Sequence, residues 1–314
     1  MTASAIQVVH THGESIAVST GGLEIFRYVY PGDPDAYEGQ KPYAHPLRTL
    51  AGDLVTGYRP HDHRWHKGLQ FAVSHLSGHN FWGGNSYVHG EGYQYLPDIV
   101  GSMRHLGFDV IDVRETSLEF TERLRWQTAA GEQWASEVRE IAVGEVFPEH
   151  RTWSIHWRTA ITNLRDAPLL IGSPTTAGRP MAGYSGLAWR GPRAFTGGEV
   201  LGAGEQGGPE MMGQPGDWLA FVGKHDDVDS VSTLLFEHYP GNHAVEGAPS
   251  KWFVRTEPFP IANPSLAFDE EIALSPGAVL WRSWRVVIRA GGWDRDGIEA
   301  FRKEFPLPAG GDRR

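Results

Sequence analysis

Three histidines, an aspartate and a lysine fall within residues 61–67, between a proline and a glycine. Proline and glycine both interrupt regular structure, so we expect this cluster at a loop or at the end of a strand. In an extended chain His61 and His63 would share one face, because side chains alternate with a period of two. With His66 nearby, two such imidazoles can form either a metal half-site or an acid–base pair.

The elements that position the cluster are predicted to be β-strands. Residues 54–58 lead into it and residues 68–73 lead out of it, so we expect two strands to flank the histidines. Elsewhere apolar residues alternate with polar ones over 118–126 and 153–161, which is typical of half-buried antiparallel strands. Further strands are expected at 6–9, 15–18, 23–30, 218–222, 233–236, 252–255 and 279–288. One short helix is expected near 294–305, within a single domain spanning 1–314.

Other candidate residues combine a polar or aromatic side chain with a neighbouring glycine or proline, or with a predicted strand end. The segment 173–193 concentrates three arginines, a tyrosine and a tryptophan, which suits sugar hydroxyls or a carboxylate. We expect substrate binding by His45, Asn80, Trp82, Arg179, Tyr184, Trp189, His243 and Arg255.

Composition narrows the class of protein. The 314 residues include no cysteine, which excludes disulfides, thiolate catalysis and sulfur-ligated metals. A formal net charge of −10 argues against binding to nucleic acid, and no apolar stretch is long enough to span a membrane. The N-terminus lacks the pattern of a secretory signal, so we expect a cytoplasmic location. Twelve tryptophans suit a pocket in which sugar rings stack on indoles.

Several motifs resemble a bacterial family labelled PmoA-like, or "methane oxygenase PmoA". The similarity extends from about residue 20 to 295, and one departure is Lys67, where the family pattern has arginine. The label names a membrane oxygenase, whereas this sequence contains no membrane-spanning stretch, so we do not take the reaction from it. The motifs are Lys41-Pro42-Tyr43-x-His45-Pro46-Leu47, His61-Asp62-His63-x-x-His66-x-Gly68-Leu69, Asn80-Phe81-Trp82-Gly83-Gly84, Gly178-Arg179-Pro180-x-x-Gly183-Tyr184-x-Gly186-Leu187-x-Trp189-Arg190-Gly191-Pro192 and Trp252-Phe253-x-Arg255.

This resemblance implies an all-β fold, an antiparallel β-sandwich of the galactose-mutarotase supersandwich type with few short helices. It also implies a role in sugar catabolism beside a sugar oxidoreductase of the Gfo/Idh/MocA type. We therefore expect an enzyme acting on a glycoside or keto-sugar by elimination or hydrolysis. In elimination His61 or His63 removes a proton next to a carbonyl, and a second histidine, such as His66, acts as acid. Arg190, Lys67 or a histidine-bound divalent metal would stabilise the enolate.

Three alternatives remain open at this stage. An aldose 1-epimerase would also need an acid and a base, with a carboxylate opposite a histidine. A non-catalytic sugar-binding module would use the histidines only to hydrogen-bond hydroxyls. A metal-dependent oxygenase would use His61 and His63 as ligands, although their spacing matches no standard zinc signature.

Overall fold

The computed structural model describes residues 3–32, 35–243 and 250–308, and most of its regular structure is β-strand. Within these residues there are twenty-one strands, five short 3-10 helices and one α-helix. The strands are β1 Gln7–Thr11, β2 Ser15–Thr20, β3 Leu23–Val29, β4 Tyr43–Leu47, β5 Leu69–Val73, β6 His75–Leu76, β7 Ser86–Val88, β8 Gly92–Gln94, β9 Ser102–Val113, β10 Leu118–Gln127, β11 Gln133–Phe147, β12 Thr152–Asn163, β13 Leu169–Gly172, β14 Ser185–Arg190, β15 Glu199–Gly202, β16 Trp218–Lys224, β17 Val231–His238, β18 Trp252–Arg255, β19 Ile261–Pro264, β20 Ile272–Leu274 and β21 Val279–Ala290. The 3-10 helices are Ala36–Glu38, Pro97–Ile99, Arg193–Phe195, Gly208–Met211 and Pro240–His243, and the α-helix α1 is Arg295–Glu304.

Two eight-stranded antiparallel sheets form the body of the molecule. The first has the strand order β1-β2-β3-β4-β5-β14-β19-β18, and the second has the order β15-β16-β17-β21-β12-β11-β10-β9. A three-stranded sheet, β20-β13-β6, and the hairpin β7-β8 complete the strands. A long connection brings β14 beside β5, and β19 and β18 follow at that edge, so the first sheet combines residues that lie far apart in the sequence.

The inner faces of the two large sheets pack against each other through aromatic side chains. The ring of Phe71 on β5 lies 6.1 Å from Trp126 on β10 and 5.9 Å from Trp284 on β21, measured between centroids. Trp189 on β14 lies 5.9 Å from Phe236 on β17. All five are buried, and each contributes about 1.5–3 kcal/mol or more by leaving water. This arrangement confirms the expected fold class, an antiparallel β-sandwich with few short helices.

The predicted strands are confirmed, most directly where the pattern alternates. Leu118–Gln127 alternates buried and exposed residues almost without interruption, and Trp252–Arg255 has the predicted bounds. The helix expected near 294–305 is α1. Asp294 caps it by accepting a hydrogen bond from the Gly297 N–H.

One strand prediction is wrong: residues 54–58 do not form a strand before the histidine cluster. Their backbone groups instead make separate bonds to three different segments. Val55 N donates to Leu47 O (2.9 Å), and Gly57 N donates to Arg190 O (2.8 Å). Gly68 N donates to Gly57 O (2.9 Å), so only β5, after the cluster, is a strand. In the described part of the chain, no helix is long and apolar enough to cross a bilayer.

Candidate functional site

The histidine cluster folds as two successive turns rather than as an extended chain. His63 N donates to Pro60 O and His66 N donates to His63 O, both at 2.9 Å. The expected pairing of His61 with His63 on one strand face is therefore wrong. His63 instead pairs with His66, three residues on, and their ring centroids are 4.9 Å apart. His61 is exposed on the first turn.

Gly83 and Gly84 leave room for the indole of Trp65, which follows the first turn. Gly83 and Gly84 have φ values of +95° and +70°, and a Cβ on Gly84 would overlap the Trp65 ring. Asn80 shapes this loop, because its Oδ1 accepts from Trp82 N (2.8 Å) and Gly83 N (2.9 Å). The glycines thus allow a close approach of the Trp65 ring to the backbone. Asn80 is buried and stabilises the loop, and it is not one of the residues that line the cavity described below.

These loops and the edge of the first sheet enclose a cavity of about 360 Å³. Its walls are mainly aromatic, and its polar side chains are histidine, arginine, asparagine and tyrosine. None of the described lining residues is an aspartate or a glutamate. The lining consists of His63, Trp65, His66, Trp82, Gly83, Asn85, Tyr93, Arg179, Tyr184, Phe253, Arg255, Pro258, Phe259 and Ile261.

Strand register aligns the sheet residues of the site in one row. Arg190 on β14 is directly opposite Ile261 on β19, and Ile261 is directly opposite Arg255 on β18. Directly opposed residues point to the same face of a sheet. Trp189, the neighbour of Arg190, points to the other face and into the sandwich core. The cavity therefore lies on the outer face of the first sheet.

Arg190 fixes the protonation state of His66. Its Nη1 donates a hydrogen bond to His66 Nδ1 at 3.0 Å. Since a guanidinium can only donate, Nδ1 must be the acceptor and the neutral ring carries its proton on Nε2. Burial, followed by the charge of Arg190, holds the pKa of His66 well below its ordinary value. His66 is therefore a neutral ring whose Nε2–H is available as a donor at the cavity wall.

The guanidinium of Arg190 is itself sequestered from water. It is 2% exposed and its central carbon lies 3.8 Å from the centroid of the Phe259 ring. Burial, reinforced by nearby Arg193, lowers the pKa of Arg190 to about 10, which leaves it charged at neutral pH. Its Nε and Nη2 are buried and have no hydrogen-bond partner among the described residues. Arg190 does not line the cavity and contacts it only through His66 and Phe259.

His63 has a carboxylate behind it instead. Its Nδ1 lies 3.4 Å from Asp62 Oδ2, and the same carboxylate oxygen accepts from Arg193 Nη2 at 2.7 Å. Burial lowers the pKa of His63, while the negative charge of Asp62 opposes that shift. His63 Nδ1 makes no hydrogen bond with a described residue, so it is the charge of the nearby carboxylate that favours a proton on Nδ1 and a free Nε2. The surroundings of the two rings therefore differ: Asp62 favours a free Nε2 on His63, whereas Arg190 places the proton of His66 on Nε2.

Two further arginines lie at the other end of the cavity. Arg179 donates from Nη1 to the Tyr93 hydroxyl and stacks on that ring at 4.8 Å. The hydroxyl groups of Tyr93 and Tyr184 are 2.8 Å apart. Arg255 stacks on Phe253 at 5.3 Å, and its pKa is lowered by burial and by the charge of Arg179. This end of the site is therefore rich in positive charge and phenolic hydroxyls.

Four other residues selected from the sequence lie outside the cavity lining. Lys67 is fully buried with Nζ 3.0 Å from Glu38 Oε2, so its charge is already neutralised. His45 bonds Thr56 through Nδ1 (2.8 Å) and stacks on Tyr58, and burial lowers its pKa to about 4.

Trp189 is in the core and donates from Nε1 to Val55 O at 2.7 Å. His61 is the fourth; it is exposed and is not one of the lining residues. The side chain of His243 lies outside the described residues. No three His, Asp or Glu side chains converge as possible metal ligands within the described part of the chain.

Some residues of the site escape prediction from the sequence. Phe259 contacts both His63 (4.7 Å) and His66 (5.8 Å) between ring centroids, yet it lies about two hundred positions away in a Pro-rich loop. Arg193 was part of the arginine-rich segment, but its bond to Asp62 depends on the fold. Phe259 lies in the connection between β18 and β19, and Arg193 lies three residues after β14, so no local pattern marks either as part of the site.

Comparison with solved structures gives weak similarities. A TPR-domain containing protein from Parabacteroides distasonis matches with 11% identity and a TM-score of 0.37, covering 96% of this chain and 49% of that one. An alpha-galactosidase from Lactobacillus brevis matches with 9% identity and a TM-score of 0.36, covering 91% and 40%. A galactose 1-epimerase from Lactobacillus acidophilus matches with 8% identity and a TM-score of 0.35, covering 91% and 94%. The chain thus spans about half or less of the first two proteins, and we transfer no activity from any of them.

Sequence comparison assigns the family. No protein of curated function matches this chain. One family model does match, over residues 15–302, and it carries no PmoA label, so the PmoA-like resemblance stays a prediction. Because the match covers nearly the whole chain, including every strand from β2 to β21, this protein belongs to DUF6807, a family of unknown function.

Proposed function

We propose that this protein is a carbohydrate-active enzyme that moves a proton at a carbon next to a carbonyl group. His63 is the base and His66 is the hydrogen-bond donor. The observation that carries this proposal is the His63–His66 pair, 4.9 Å apart, with Asp62 behind one ring and Arg190 behind the other. Two neighbouring imidazoles with opposite proton roles are what an acid–base reaction at neutral pH requires.

The cavity walls support a sugar as the substrate. Trp65, Trp82 and Phe259 surround the two histidines, and aromatic faces of this kind stack against the C–H faces of sugar rings. A volume of about 360 Å³ is within the range of small-molecule sites. Asn85 and the tyrosine hydroxyls add polar groups that can bind sugar hydroxyls.

For a 3-keto-glycoside the proposed reaction is an elimination. His63 Nε2 takes the proton from the carbon between the ketone and the anomeric centre, and the C–H electron pair forms an enolate. His66 Nε2–H donates to the enolate oxygen as its negative charge develops. The enolate then re-forms the ketone, a C=C bond forms, the glycosidic C–O bond breaks and the departing oxygen takes the proton from His63. The products are an unsaturated keto-sugar and a free alcohol.

A partner dehydrogenase of the Gfo/Idh/MocA type would supply the ketone in this proposal. Elimination is preferred to classical glycoside hydrolysis, which uses a pair of carboxylates beside the scissile bond. It is also preferred to aldose 1-epimerisation with a carboxylate opposite a histidine. The described lining residues offer no carboxylate for either reaction, whereas they offer two histidines.

The test is proton exchange and cleavage of 3-keto-glycosides by the purified protein. In D₂O, NMR follows deuterium incorporation next to the ketone, and ultraviolet absorbance follows the conjugated product. We expect His63→Gln to lower both rates about 10²–10⁴-fold, the usual contribution of a general base. His61→Gln is the matched control, since His61 is on the same loop but exposed and outside the cavity lining, and we expect a change of less than about twofold.

Three results would contradict the proposal. Wild-type protein without exchange or cleavage would indicate a binding module if the keto-glycosides still bind. Interconversion of anomers without exchange next to the ketone would indicate an epimerase. Equal losses of exchange and cleavage rate in the His61 and His63 variants would show that position in the cavity lining does not determine which histidine is the base.

A further inference from the structure

The cavity end formed by Arg179 and Arg255 has a charge that the proposed reaction does not use. Arg255 makes no hydrogen bond or ion pair through its guanidinium with any described residue; it stacks on the Phe253 ring and lies near Arg179, Tyr93 and Tyr184. Arg179 donates to the hydroxyl of Tyr93. Two guanidiniums therefore lie together with no described carboxylate among the lining residues to balance them.

We infer that Arg255 and Arg179 bind the carboxylate of an acidic sugar, such as a uronic acid glycoside. This inference rests on the proposed function for the sugar part of the ligand and adds the substrate class. A planar guanidinium presents paired N–H donors that match the two oxygens of a carboxylate. The cost of keeping two like charges side by side in a half-buried site is offset when an anion binds between them.

Strand register separates this anion site from the reacting histidines. Arg190 and Arg255 flank Ile261 on neighbouring strands, so their Cα atoms are about two strand spacings, roughly 10 Å, apart. Arg190 contacts His66, whereas Arg255 is near Arg179 and the tyrosines. The carboxylate is therefore bound at the end of the cavity opposite the reacting carbon, and it orients the sugar along the Arg190–Arg255 row.

Tyr184 fits this assignment. Burial keeps its pKa well above the ordinary value, so its hydroxyl stays protonated beside Tyr93. The Tyr184 hydroxyl therefore adds a hydrogen-bonding group without adding negative charge that would repel an anion. Sugar hydroxyls can bind to guanidiniums but do not balance the charge of two that lie together half-buried, whereas a carboxylate does.

The experiment is calorimetric titration of the full-length protein with methyl β-D-glucuronoside and with methyl β-D-glucoside, which differ only at the carboxylate. We expect the wild-type protein to bind the glucuronoside about tenfold more tightly or better, and higher salt to weaken that preference. Arg255→Gln should remove the preference and leave binding of the glucoside within about twofold. Arg255→Lys, which keeps the charge, should retain part of it. Arg104→Gln, at an exposed arginine on β9 that does not line the cavity, is the matched control.

The outcomes separate this inference from the proposed function. Equal affinity of wild-type protein for the two glycosides would overturn the anion site, and so would an equal loss for both in Arg255→Gln. Binding of neither glycoside would also overturn it. In each case His63-dependent exchange on keto-glycosides would still support the proton-transfer function. Conversely, a glucuronoside preference without any exchange would leave the anion site in place and refute the reaction.

Discussion

Replacement of Arg190 by methionine tests whether this arginine acts on catalysis through His66. Methionine is apolar and long enough to keep contact with the Phe259 ring, 3.8 Å from the guanidinium carbon. It removes the donor to His66 Nδ1 and the positive charge beside that ring. The Arg190→Met variant should therefore free His66 to change tautomer and should raise its pKa toward the ordinary value.

The expected effects on stability and on rate differ in size. The variant removes a buried charge with two N–H donors that have no partner among the described residues, which should relieve about 1–3 kcal/mol. Leaving His66 Nδ1 buried without its donor costs about 1–3 kcal/mol. These contributions nearly cancel, so the free energy of unfolding should stay within about 2 kcal/mol of the wild type. Loss of a correctly placed donor to the enolate should lower kcat by between about 10-fold and 1000-fold.

Three measurements check this prediction. Chemical denaturation gives the free energy of unfolding, and steady-state kinetics on a keto-glycoside gives kcat and KM. Long-range ¹H–¹⁵N NMR of the histidine rings reports the tautomer and pKa of His66 directly. Arg190→Lys keeps a cationic donor and should recover part of the rate and part of the Nε2–H tautomer.

Two results would refute the reasoning. If Arg190→Met keeps kcat within about twofold of wild type, His66 does not depend on Arg190 for its role. If the variant instead loses more than about 3 kcal/mol of stability while the tautomer of His66 is unchanged, Arg190 is mainly a structural residue.

Two further predictions concern the same loops. Burial lowers the pKa of His63, and the negative charge of Asp62 opposes that shift. Asp62→Asn should therefore lower the pKa of His63 further. Since the neutral ring is the base, the acid limb of kcat/KM should move to lower pH while the rate at neutral pH falls; a limb that moves upward would contradict this. Gly84→Ala should lower the free energy of unfolding by about 1–3 kcal/mol more than Gly90→Ala, because both have positive φ but only Gly84 faces Trp65. Equal losses in urea denaturation would show that the contact with Trp65 is unimportant.

The strands were predictable because their signal is local. In Leu118–Gln127 and in residues 153–161 the polarity of most residues matches the face of the sheet that they occupy, and no knowledge of partner strands is needed. A local signal also predicted a strand at residues 54–58, and that prediction is wrong. Their β-rich composition suits a strand, but their backbone groups make isolated bonds to Leu47, Arg190 and Gly68 instead of a continuous ladder with one partner strand.

The sequence predicts which residue types form the candidate site. It does not predict which histidines lie side by side. His63, His66, Trp82, Arg179, Tyr184 and Arg255 were candidates and the fold brings them to one cavity. The turns at 60–66 determine which histidine rings lie next to each other. The spacing of two residues between His61 and His63 does not indicate the hydrogen bonds of these turns. Partners such as Phe259 and Arg193 come from loops that only strand order brings close.

Lys67 illustrates how a charged residue beside catalytic groups can serve a different role. The buried Glu38 accepts from Arg59 Nε (2.9 Å) and Nη2 (2.6 Å), and Lys67 Nζ lies 3.0 Å from the same carboxylate. Arg59 precedes the histidine turns and Lys67 follows them, so both ends of the loop are tied to one side chain. Breaking such a buried pair costs about 3–5 kcal/mol, which is too much for a lysine that must release its partner in each turnover. We therefore propose that Lys67 positions the loop that carries His63 and His66, and that in the proposed reaction His66 and Arg190, rather than Lys67, would stabilise the enolate.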